Sequence, residues 1–214
     1  MINFHPDPGL LRAFAAAQLP SGLNMLVAAH AEMCACCQQH IETFELALAN
    51  ESFSASDNTY DFADMAARIM AQGDAPAEPE VKSRILELNE AEAIQLPRAL
   101  RHVGMGDWFT LGKMSRARIE TGEDDIHCHL LKIDAGGEIP AHTHKGFEAT
   151  LLLDGSFSDD MGKYQRGDFI WLDGNHTHSP VSTKGCVCLT AADDALHFTQ
   201  GLSRLLNPLG RFLY

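Results

Sequence analysis

Positive charge is nearly absent from the first half of this 214-residue chain. Residues 1–95 hold four Lys/Arg against fourteen Asp/Glu, so −10 of the formal net charge of −13 sits there. Arg12 is the one Lys or Arg before residue 50. Such a field repels phosphate backbones, which argues against nucleic-acid binding by this half, and it favours a partner that presents a basic surface. A merely solvated acidic face is the plainer alternative. Long apolar runs are missing too: none approaches the roughly 20 residues that span a bilayer. The start, Met1-Ile-Asn-Phe-His-Pro-Asp-Pro, has neither the basic nor the apolar region of a secretory leader, so a cytoplasmic protein is expected. In that reducing setting the six cysteines, at 34, 36, 37, 128, 186 and 188, are expected as metal ligands or free thiols, not as a disulfide framework.

What the first half does contain is His30-Ala-Glu-Met-Cys34-Ala-Cys36-Cys37, an H-x3-C-x2-C spacing inside a helix-forming run. If the run is helical, His30, Cys34 and Cys37 project at about 0°, 40° and −20°, so an imidazole and two thiols share a face. These are favoured zinc ligands, and structural zinc takes four protein donors. His5 is the only other His or Cys N-terminal to this face. Cys36 points away as a spectator. A redox thiol pair or buried apolar cysteines fit the same residues, although the strand that leads into a thioredoxin-like C-x-x-C is absent.

The chain is long enough, and at 45% hydrophobic content apolar enough, for two modest cores. Apolar spacing predicts helices over residues 9–19, 23–33 and about 34–49, with Pro20 and Gly22 as breakers and Ser21 as a cap. Residues 50–80 read as a flexible arm, with a weak amphipathic helix over 60–70 and a Pro/Ala-rich linker at 75–79. A fourth helix is expected over 80–93, carrying Val81, Ile85 and Leu88. From Leu96 the pattern changes to period two. Short β-prone segments around 108–114, 117–120, 126–133, 148–154, 168–172 and 185–190 suggest a closed antiparallel barrel or jelly roll.

Two segments of that barrel carry chemistry: Gly136-Gly-Glu-Ile-Pro-Ala-His142-Thr-His144-Lys-Gly-Phe-Glu148, and Gly167 to His178 with His176-Thr-His178 at its end. Residues two apart on a strand share a face, so His142 and His144 can point inward together. With Glu148 from the neighbouring strand and a His from the second segment they make a 3-His, 1-Glu site. His127 and His129 form a pair without a useful carboxylate, and Cys186 and Cys188 alternate on a late strand as core residues.

Residues 136–178 resemble the two cupin motifs, and His5 with His30-x3-Cys34-x2-Cys37 resembles the zinc-binding anti-sigma domain. In this order over the whole chain, they resemble the ChrR-type anti-sigma factors. The resemblance implies a multidomain α + β protein: a small all-α zinc-binding domain over 1–95, a cupin β-barrel over 96–196 and a tail over 197–214. It implies a non-enzymatic inhibitor of a group IV (extracytoplasmic function, ECF) sigma factor, bound 1:1, with no direct nucleic-acid or membrane contact. The cupin domain would serve release in response to singlet oxygen or related oxidants. Two Zn2+ ions are implied, one held by His5, His30, Cys34 and Cys37, the other by His142, His144, Glu148 and a last His. The interval from Gly167 favours His178 over His176. The competing expectation is a cupin dioxygenase or isomerase with an accessory zinc domain.

Overall fold

The structure is a computed structural model that describes residues 1–54, 62–73, 83–88, 93–123, 125–194 and 197–199. Helices come first and strands follow. Helix α1 spans Pro8–Ala15, α2 Ser21–Met33, α3 Ala35–Ser54 and α4 Ala63–Ala71. Helix α1 starts where Asp7 accepts from the Gly9 and Leu10 amides at 2.8 and 3.2 Å, with Pro8 at its first position, where no N–H is needed. It stops short of the expected residue 19 because Ala17 turns left-handed, at φ 54°. The Ser21 cap is also not as expected. The Ser21 side chain makes no cap bond within α2; its amide and hydroxyl both donate to Glu123, at 2.8–2.9 Å, so the cap comes from the strand half of the chain.

The expected helix over 80–93 is not formed in the described part of that range. Strands β1 (Ile85–Glu87) and β2 (Ala93–Gln95) pair antiparallel there. Leu86 is buried while Ile85 and Glu87 are exposed, a period of two, and the Arg84 guanidinium pins the hairpin to the carbonyls of Leu100 and Val103 at 3.1 and 2.6 Å. Ile85 and Leu88 fit a helical spacing as well, which made the short run ambiguous. The expected linker at 75–79 lies outside the described residues, and the weak helix expected over 60–70 is α4, none of whose residues is buried.

A 3-10 turn at Arg98–Leu100 leads into the strands β3 Gly104–Met105, β4 Phe109–Leu111, β5 Met114–Glu120, β6 His127–Ile133, β7 Gly137–Glu138, β8 His142–Thr143, β9 Phe147–Asp159, β10 Gly162–Gln165, β11 Phe169–Asp173, β12 Val181–Ser182, β13 Cys186–Ala192 and β14 His197–Phe198, all in the main sheet except β8 and β14, which pair with each other. The sheet is a curled antiparallel half-barrel in the order β3-β5-β6-β13-β9-β12-β7, with β10 and β11 also on β9 and β4 on β5. The long β9 organises it, since β13 runs along one edge while β11 and then β10 occupy the other. Residues 197 and 198, expected to open a tail, pair with β8.

Alternation along the strands gives the sheet two apolar faces. Leu152, Phe157, Tyr164, Ile170, Leu172, Cys186 and Cys188 pack on one. On the other, Leu130, Leu151, Leu153, Phe169 and Leu189 join Leu11, Leu26, Val27 and Ile41 of the helices in one continuous core. Helix α2 lies on β9 and β13, and its approach requires glycine at 22, where a Cβ would stand 2.5 Å from Cys128 Sγ. Each fully buried Leu or Val in this contact contributes about 1.5–3 kcal/mol. Among the described residues no helix is long and apolar enough to cross a membrane.

Candidate metal centres

Two clusters of ligating side chains stand out among the described residues, each with its ligand atoms within 4.8 Å of one another. The first gathers His5, His30, Cys34 and Cys37. His5 Nδ1 lies 3.4 Å from both Cys34 Sγ and Cys37 Sγ, and His30 Nε2 lies 3.3 Å from Cys37 Sγ. A tetrahedral ion about 2.3 Å from sulfur and about 2.0 Å from nitrogen sets N···S edges near ~3.5 Å, so the donors fit one ion.

This cluster is not built as one helical face. In an unbroken helix His30 and Cys37 would share a face but stand about 10 Å apart along the axis. Helix α2 ends at Met33, Cys34 is extended at φ −125° and ψ 97°, and α3 starts anew at Ala35. The break brings Cys37 back over His30. Asp168, on the strand half, fixes the segment carrying His5: it is fully buried and accepts from the amides of Asn3 and Phe4 at 2.7 and 3.2 Å and of Gln165 at 2.8 Å.

Burial holds His30 down at about 4, partly offset by its bond to the Gly167 carbonyl, so the imidazole is neutral near pH 7. That bond, Nδ1–H to O at 2.9 Å, sets the tautomer with the Nε2 lone pair toward Cys37. Burial, with Cys34 beside it, pushes the Cys37 thiol up to about 12. A thiol in such a place becomes a thiolate when a cation is there to hold it, so metal uptake must release protons.

The second cluster gathers His142, His144, Glu148 and His178 at one end of the half-barrel. His142 and His178 form an antiparallel bridge, with reciprocal backbone bonds of 3.0 and 3.1 Å. The three imidazoles are all buried. His144 Nε2 is 3.0 Å and His178 Nε2 3.8 Å from Glu148 Oε2. His178 Nε2 is buried with no hydrogen-bond partner among the described residues, an arrangement a bound cation explains. The outer bonds are in place: His142 Nδ1 donates to the Pro140 carbonyl at 2.9 Å and His178 Nδ1 to Asp159 Oδ2 at 3.2 Å. Burial, then His178, holds His142 at about 4. Burial alone would raise Glu148, but His144, with Nε2 3.0 Å away, and then the other imidazoles beside it outweigh that and hold the carboxyl at about 2. Three imidazoles with one carboxylate suit a divalent transition metal.

The remaining candidates lie elsewhere. His176 is turned to solvent and pairs with Asp173 at 2.7 Å, and Cys36 is exposed. His127 and His129 belong to neither cluster, and Cys186 and Cys188 are buried core thiols. Sequence spacing missed the outer residues Asp159, Gly167, Asp168 and Glu123. Each meets its partner far along the chain, so no local pattern signals it.

A helical unit with a His2Cys2 cluster, packed on a half-barrel with a 3-His, 1-Glu cluster, defines a cupin-type protein with two clusters that could each hold a metal ion. Residues 102–195 match the family model of the ChrR cupin-like domain. The chain is 30% identical to the anti-sigma-E factor ChrR of Cereibacter sphaeroides, over 98% of this chain and 99% of that protein. It also resembles a chain in the crystal structure of Rhodobacter sphaeroides SigE in complex with the anti-sigma ChrR, at TM-score 0.67 and 28% identity, covering 90% of this chain and all of that one. The chain belongs to the ChrR family of anti-sigma factors.

Proposed function

We propose that the protein is an anti-sigma factor that holds an ECF sigma factor in a 1:1 complex and is not an enzyme. The observation that carries this is likeness to an anti-sigma factor along nearly the whole chain, joined to both ligand clusters in this one. The helical half, residues 1–95, is the inhibitory part. Its acidic surface suits a partner whose faces bind DNA and polymerase, and α4 offers exposed Met65, Ile69 and Met70 for a contact. His5, His30, Cys34 and Cys37 hold Zn2+ there as a structural ion, the two thiolates and two imidazoles being a zinc-selective donor set. His142, His144, Glu148 and His178 hold a second ion, also Zn2+, in the cupin half. This half, residues 96–196, serves release under singlet oxygen or related oxidants. The protein acts in the cytoplasm, where its partner meets polymerase.

The test is reconstitution with purified ECF sigma factors. The expected result is one 1:1 complex and loss of that factor's transcription in vitro. If no ECF sigma factor is bound or inhibited, the reading is wrong.

A further inference from the structure

The two clusters are joined by one short piece of chain, the β9–β10–β11 connection from Asp159 to Phe169. At its first end Asp159, whose side chain is 1% exposed, takes the Nδ1–H of His178 on Oδ2 and the amides of Met161 and Gly162 on Oδ1, at 2.9 and 3.1 Å. At its second end the Gly167 carbonyl takes the Nδ1–H of His30, and Asp168 holds the amides of Asn3 and Phe4. Gly167 sits at φ 93°, and a Cβ there would meet Ile2 at 2.6 Å. A side chain is therefore excluded where that carbonyl turns to His30.

Tyr164 lies midway. Its ring packs on Phe4 at 5.0 Å and Phe157 at 4.9 Å, and Phe4 precedes the ligand His5. Burial, then the nearby charges of Asp159 and Asp168, push the phenol up to about 12. The Phe169 amide donates to the Phe4 carbonyl at 3.0 Å, and the Phe169 ring stands edge-on to His30 at 5.9 Å.

We infer that Asp159, Tyr164, Gly167 and Asp168 form a shared outer shell through which loading of the cupin centre tightens the thiolate centre. The inference rests on the reading that both clusters bind metal. Each centre needs this connection ordered, and an ion at one end fixes it in advance for the other, which gives positive and reciprocal coupling. These are positioning residues, since none of them touches an ion.

Cobalt provides the readout, because only the first cluster contains thiolates and only it gives a thiolate-to-cobalt charge-transfer band. The full-length protein loaded with Co2+ is challenged with excess chelator, and decay of that band is timed. Glu148→Ala, which empties the cupin centre, should speed the decay about fivefold, at the low end of usual coupling. Tyr164→Leu, which removes the ring that packs on Phe4, and Asp159→Asn, which removes the charge facing His178, should do the same, the latter with an unchanged melting temperature. Combining either with Glu148→Ala should add nothing further, since one connection would already be cut. Unchanged decay in Glu148→Ala, or effects that multiply in the double variants, would overturn the coupling. A band that never forms would instead overturn the metal reading itself.

Discussion

His30 and Cys37 illustrate what one residue must satisfy to serve a buried ion. His30 is kept neutral by burial and aimed by a carbonyl from the other half of the chain, whereas Cys37 is a thiol raised by burial until a cation stabilises its anion. Zinc binding in small peptides is worth roughly 10–16 kcal/mol apparent, far more than the packing of three short helices can replace. Cys34→Ser and His30→Ala are therefore expected to lose the ion and partner binding together, while exposed Cys36→Ser retains both. Zinc content measured beside a pull-down decides this, and a zinc-free Cys34→Ser protein that still inhibits would contradict it. In the second cluster His178→Ala should cost the cupin ion and His176→Ala should not, because His176 is paired with Asp173 at the surface; metal content of the two variants separates them. The ligands themselves were legible in the sequence because ligation requires particular side chains at short spacings. Their outer partners were not, since Gly167 lies 137 residues from His30 and Asp159 lies 19 from His178.

Helix α2 shows how far an element can depend on a distant part of the chain. Ser21 was legible as a boundary but not as a donor to Glu123, because the carboxylate arrives 102 residues later. The Ser21 amide outweighs the opposing effect of burial and lowers the Glu123 carboxyl below its ordinary value. A carboxyl lowered by folding adds stability above its unfolded pKa and loses it as pH falls through the folded one. Glu123→Gln should thus cost about 0.5 kcal/mol at neutral pH, at the low end for a helix cap because the site is solvent-exposed. The cost should fade as pH drops through the carboxylate range. Thermal melts of both proteins across pH 3–7 give the answer, and a difference that stayed constant across that range would assign the effect to packing. The long strands of the sheet, β-prone runs separated by glycine-bearing turns, were readable. Ile85 to Leu88 was not, because three apolar side chains in four residues fit both periods and only the Arg84 anchor and pairing with β2 decide between them.

At the scale of the whole molecule the helices and the sheet share one apolar core, so a disturbance at the cupin centre has a packed route to the helical half. Side chains that oxidants modify gather in the sheet half: His142, His144, His178, Met161, Trp171, Cys186 and Cys188. Met161 and Trp171 are exposed, at 41% and 44%, while the histidines and cysteines are buried. An oxidant that alters one ligand of the filled centre would force Glu148 and the Asp159 connection into a changed arrangement around the ion. Lowering affinity for a bound sigma factor a hundredfold requires about 2.7 kcal/mol, within the range of allosteric coupling. A protein whose cupin centre is empty has no ion around which that change could be forced. Its thiolate centre remains filled at cellular zinc levels, because a severalfold loss is small beside the affinity of such sites. Glu148→Ala and His142→Ala are accordingly expected to bind the sigma factor normally in unstressed cells and to give a blunted response to singlet oxygen. The sigma-dependent transcript, followed before and after exposure in cells carrying each substitution, reports both properties. Full induction in either variant would mean that the signal enters elsewhere, with exposed Met161 and Trp171 the next positions to substitute.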